Sequence, residues 1–167
     1  MNLLKRIKMS WNSLDNDQQR VFAKLCTTRR AAYEQWNKHG VLDSAKDILI
    51  IADRPGPKAP QTDNFHHTPF YSKIHSGGFI NAQMVLAGIT EDRLMWTNSA
   101  TWDNKVGDVK LLAHREWSHV ICLGGNAKKF ALKNGIANPT VFDHPQYHKR
   151  FKSKEPYPFI EFVQNLG

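Results

Sequence analysis

Four compact apolar runs, separated by stretches of helical periodicity, restrict what this chain can fold into more than any other feature. The runs are "DILIIAD" (47–53), "RLMWTNS" (93–99), "SHVICLGG" (118–125) and "PTVFD" (139–143). Each is a short continuous apolar segment bounded by turn residues, the pattern of a strand buried on both faces. Between them, "GFINAQMVLAGI" (78–89), "VGDVKLLAHREW" (106–117) and "NAKKFALKNGI" (126–136) space their apolar residues as a helix does, and "PFIEFVQNL" (158–166) closes the chain in the same way. Parallel strands need crossovers of this kind. The expected fold is therefore a three-layer α/β/α sandwich with a central, mainly parallel four-stranded sheet. Ligands of such open sheets bind beyond the carboxyl ends of the strands, which here lead into "ADRPGP" (52–57), "TNSATWD" (97–103), "LGGNA" (123–127) and "DHPQYHKRF" (143–151).

The length, 167 residues with 41% hydrophobic, suits one domain over 1–167, of which 1–46 forms a helical N-terminal segment. From Asp15 to Lys38 the residues Val21, Phe22, Leu25, Cys26, Tyr33 and Trp36 recur at helical spacing. Asp15 or Asn16 caps the start, and His39-Gly40 ends it. The opening "MNLLKRIKMSW" mixes cations into a short apolar stretch, too short to span a bilayer, and reads as an amphipathic surface helix. Two cysteines, Cys26 and Cys122, stand far apart, which suggests neither a disulfide framework nor a thiolate metal site and fits a reducing, cytoplasmic location. Lysine and arginine number 23 against 15 acids, for a net charge of +8. That surplus points to nucleic acid as a partner.

The first and last strand ends resemble the two signature motifs of the uracil-DNA glycosylase superfamily. Asp53-Arg54-Pro55-Gly56 is similar to the acid-bearing Gly/Pro turn after its first strand, and His144-Pro145 to the His-Pro loop after its last. Asn98, in "LMWTNSA", occupies the place of the asparagine that pairs with the extruded base. Leu123, Gly124 and Ala127 match the turn that opens a helix after the third strand. Order and spacing follow the family from 47 to 151, whereas residues 1–46 carry no specific match. Ala52 departs from the glycine that usually opens the first motif, and Gln146 from the serine or alanine that commonly follows His-Pro.

The resemblance implies excision of uracil or a modified pyrimidine from DNA by cleavage of the N-glycosidic bond. That reaction builds positive charge on the sugar and negative charge on the departing base, so it needs an anion on one side and donors on the other. Asp53 would stabilise the sugar cation or orient water. His144 would donate to the base carbonyl, an interaction worth about 3 kcal/mol in the transition state. Asn98 would read the edge of the base, and Phe70 or Tyr71 would stack on it. Because the base must leave its stack, a side chain has to fill the gap and cations must hold the flanking phosphates. Tyr147 or His148 would be the plug, with Lys149, Arg150, Lys152 and Lys154 as the grip. The amides of Gly125 and Asn126, at a helix start, would hold another phosphate.

Two other readings share these residues. A catalytically silent reader of a modified base is motivated by Ala52 and Gln146, and an enzyme of free nucleotides would not need the basic stretch. No cofactor is expected. Two distant cysteines cannot supply the four thiolates of an iron–sulfur cluster. His66, His67, His75, His144 and His148 invite a metal reading, but the proline in "HPQYH" disfavours the helix that would align His144 with His148, so no metal is expected. The partner expected is DNA, with no membrane, and the chain is expected to be a monomer.

Overall fold

The computed structural model describes residues 10–55, 67–73, 75–101, 103–152 and 154–166. The opening segment up to residue 9, Gly56 of the Gly/Pro turn, and His66 lie outside them. The chain divides into two compact units, one made of 1–27, 70–90 and 145–167 and the other of 28–69 and 91–144.

The second unit holds the sheet. Strands β1 (Ile48–Ala52), β2 (Leu94–Asn98), β3 (His119–Leu123) and β4 (Thr140–Phe142) are all parallel, in the order β2-β1-β3-β4. The class is thus α/β with a fully parallel four-stranded sheet. Every residue of β1 and β2 is buried, which accounts for their unbroken apolar runs. Helix α1 (Asn16–His39) begins in the first unit and ends in this one. Its Tyr33 joins Leu49, Ile51, Met95 and Cys122 of the strands in one apolar cluster. Helices α3 (Val109–Ala113) and α4 (Gly125–Lys133) complete it through Leu111, Leu112, Ala127 and Phe130.

Both ends of α1 follow from local chemistry. Asp15 accepts from the Gln18 amide at 2.8 Å while Gln18 accepts from the Asp15 amide at 3.0 Å, a reciprocal cap that satisfies two otherwise unbonded donors. Gly40, at a φ of 63°, turns the chain out of the helix, its N–H bonding the Trp36 carbonyl at 2.8 Å. Further along, α3 is much shorter than the periodicity over 106–117 predicts. Gly107 donates to Ser99 O at 2.9 Å and Val106 bridges Ala100, so pairing with the end of β2 takes both out of the helix. Asp108 then caps what remains, accepting from Leu111 N at 3.0 Å through Oδ1 and from Tyr33 OH and Trp36 Nε1, at 2.5 and 2.8 Å, through Oδ2.

A buried ion pair ties α1 to the start of β2. Arg29 Nη2 lies 2.9 Å from Glu91 Oε2, with side chains 1% and 2% exposed, and the guanidinium stacks on Trp96 at 3.9 Å.

The first unit packs the beginning of α1 against α2 (His75–Ala87), with Leu14, Phe22 and Ala82 at its centre. Helix α2 starts earlier than its apolar pattern predicts, because Gly77 and Gly78 weaken the helical signal. Both are needed for close approach: a Cβ on either would fall 2.6 Å from the Ser72 carbonyl oxygen or 2.5 Å from that of Lys73. Helices α5 (Pro145–Phe151) and α6 (Pro158–Gln164) complete this unit. Among the described residues, no helix is long and apolar enough to cross a membrane.

Candidate active site

Strand β1 lies between β2 and β3, so successive connections leave it in opposite directions, and the crevice beyond β1 and β3 is the switch point where such sheets bind ligands. Asp53 stands there as the first residue after β1. Its backbone carbonyl accepts from Ala100 N at 3.1 Å and Ser99 Oγ at 3.0 Å, which ties it to the end of β2. Its carboxylate accepts from Asn126 Nδ2 at 3.1 Å, across the crevice from α4. Arg54 turns aside to Asn104 Oδ1 at 2.6 Å. These residues, with Ser99, Ala100 and Phe130, line a groove of about 290 Å³.

His144 reaches the same edge from β4. Gly124, which caps α4 at a φ of 102°, bonds the Phe142 carbonyl through its N–H at 2.8 Å. A side chain at 124 would be strained by that φ, and its Cβ would stand 3.4 Å from the Cβ of His144. The glycine thus lets the imidazole sit close to the β3 turn. Burial lowers the His144 pKa from its ordinary 6.5, and the negative charge of Asp53 only partly opposes this. Asp53 and His144 therefore stand within electrostatic reach of one another, and burial favours the uncharged form of the imidazole.

The other residues singled out from the sequence divide sharply. Asn98 ends β2 beside Ala52 but is only 1% exposed, and neither it nor His144 is among the residues that line the groove. Gly125 and Asn126 do open α4, yet the Asn126 side chain is engaged by Asp53. Phe70 and Tyr71, in the first unit, are half-buried. Phe70 holds a φ of 55°, costly for a residue with a Cβ, and its carbonyl accepts from Asn81 Nδ2 at 2.5 Å. Burial also raises the Tyr71 phenol pKa.

The His-Pro segment requires two corrections. The loop expected after β4 is a helix, because Pro145 occupies its first position, where a missing N–H is harmless and the ring's fixed φ suits the first turn. His148 is not a plug either. It is 1% exposed, donates from Nε2 to the Glu155 carbonyl at 2.8 Å, and packs between Phe79 and Tyr157. Tyr147 remains exposed, as do Lys149, Arg150, Lys152 and Lys154. The sequence reading also missed Phe151, which is 65% exposed and lies four residues after Tyr147, a spacing that puts both on one face of a helix. Nothing local marks Asn126 as the partner of Asp53, since 73 positions separate them.

Among the described residues no group of three or more His, Cys, Asp or Glu side chains is placed to hold a metal ion. No protein-family model, curated protein or solved structure matches the chain.

Proposed function

We propose that the chain is a DNA glycosylase-like enzyme that extrudes uracil or a modified pyrimidine and cleaves its N-glycosidic bond. The observation that carries this reading is the placement of Asp53 and His144 at the carboxyl ends of β1 and β4, within electrostatic reach of one another and with burial favouring the uncharged imidazole. Bond cleavage separates charge. A carboxylate stabilises the sugar cation or directs water at it, and a neutral imidazole donates a hydrogen bond to the base carbonyl as negative charge gathers there. Asn126 orients the carboxylate, while the Gly124 turn admits the imidazole. The reading rests on these two groups and does not need Asn98. The net charge of +8 and the exposed cations of α5 supply the attraction for DNA.

The test is a single-turnover time course beside a binding titration on oligonucleotides carrying uracil or modified pyrimidines. Asp53→Asn and His144→Ala should each slow base release ~10²-fold or more with little change in affinity, because both act on charge that develops during cleavage. Release left intact by both substitutions would overturn the assignment. If the parent releases no base but binds one of them selectively, the chain is a silent reader.

A further inference from the structure

Helix α5 presents an aromatic pair that no core uses. Pro145 and His148 form its buried face, whereas Tyr147 and Phe151, 49% and 65% exposed, lie side by side on the outer one with ring centroids 4.9 Å apart. Cations frame the pair: Arg150 lies 5.4 Å from the Phe151 ring and Lys152 Nζ 5.8 Å from that of Tyr147. Lys149, Arg150 and Lys154 take part in no salt bridge among the described residues, and no acid occurs in the sequence between Asp143 and Glu155. A single exposed aromatic on a protein surface needs no explanation. Two adjacent ones inside a cationic rim do.

We infer that this face of α5 is a stacking platform for single-stranded DNA. The inference deepens the glycosylase reading and rests on it for the choice of DNA as the occupant. Aromatic faces gain contact from bases whose own faces are free, while surrounding cations follow the phosphates. A closed duplex hides those faces and offers the platform phosphates alone. The buried His148, bonded to the Glu155 carbonyl, fixes the inner side of the helix and so holds the outer rings in place. A second copy of the chain fits poorly, since it would bring two cationic rims together. An anionic membrane would gain little apolar contact from two rings on a seven-residue helix.

The experiment measures fluorescence anisotropy of unmodified DNA, once as a mixed-sequence single strand and once as the duplex of equal length. The parent should bind the single strand at least about ten-fold more tightly, and the Tyr147→Leu/Phe151→Leu double variant should lose that preference while keeping its duplex affinity. Lys149→Ala/Arg150→Ala should weaken both and flatten the salt dependence. Matching thermal midpoints would show that these exposed substitutions leave the fold intact. Equal affinity of the parent for strand and duplex, or a preference that survives in the double variant, overturns the inference. So does loss of self-association, or of binding to phosphatidylserine vesicles, in the double variant of a parent that shows no strand preference. Base release from duplex without strand preference refutes the platform and leaves the enzyme standing; strand preference without release of any base does the reverse.

Discussion

Asp47 and Asp53 bracket the same strand, β1, and are used in opposite ways. Asp47, at the amino end, is clasped by Arg93 through two hydrogen bonds of 2.8 and 2.7 Å, which hold its pKa down at about 2. Asp53, at the carboxyl end, receives one amide hydrogen bond, from Asn126, and no cation pairs with it among the described residues. The grooves beside them differ likewise. The one at the amino ends of β3 and β4 is larger, about 470 Å³, yet its Arg115 is committed to the carbonyls of Asp43, Lys46 and Leu42. Size does not mark the candidate edge. What marks it is a charge left without a structural counter-charge, in a sheet whose topology opens a crevice at that point.

The largest test of this contrast uses Glu91, the acid most completely committed to structure. Glu91→Ala strips the buried Arg29 of its partner and should cost about 3–5 kcal/mol in denaturant unfolding, whereas Asp53→Asn should stay within about 0.5 kcal/mol. Comparable losses would erase the distinction between a carboxylate paired with a buried cation and one held by an amide alone. Next comes Asp108, which caps α3 and holds Tyr33 and Trp36. Its replacement by alanine should destabilise by about 2–3 kcal/mol, combining a lost cap with buried donors left unbonded. Asp108→Asn, which keeps the cap, should lose less in the same measurement.

A smaller effect should appear in the pH dependence of the melting temperature. His144 has a folded pKa below its ordinary 6.5, so the unfolded chain binds the proton more readily. Stability is then complete above about pH 6.5 and declines as pH falls through that value toward the folded pKa. His144→Asn should remove this part of the decline. A parent and variant that melt in parallel from about pH 8 to 5 would show that the imidazole is not desolvated.

The smallest effect belongs to Asp47. Its contribution is present above 3.8 and lost as pH falls toward about 2, so Arg93→Ala should melt with a flatter acid limb than the parent. The pair is about one-third exposed, and added salt should shrink the difference.

The local code was enough for the strands and for several helix ends. Runs such as "ILIIA" cannot satisfy water on either face, so they declare a buried parallel strand, and Asp15, Gln18 and Gly40 cap α1 through groups only three or four residues away. Alternation of strand and helix then dictated a parallel sheet whose carboxyl ends gather Asp53, Asn98 and His144. What tertiary structure alone decided were the events that depend on distant neighbours. Pairing of Val106 and Gly107 with the end of β2 shortened α3. Packing of His148 against Phe79 and Tyr157 withdrew it from the surface and left Tyr147 and Phe151 outside. The lowered pKa of His144 and the anchoring of Asp53 by Asn126 likewise arise from burial and from a contact between residues far apart in the chain. Residue type sets what a side chain is able to do, but exposure, desolvation and the choice of partner depend on which segments the fold brings together.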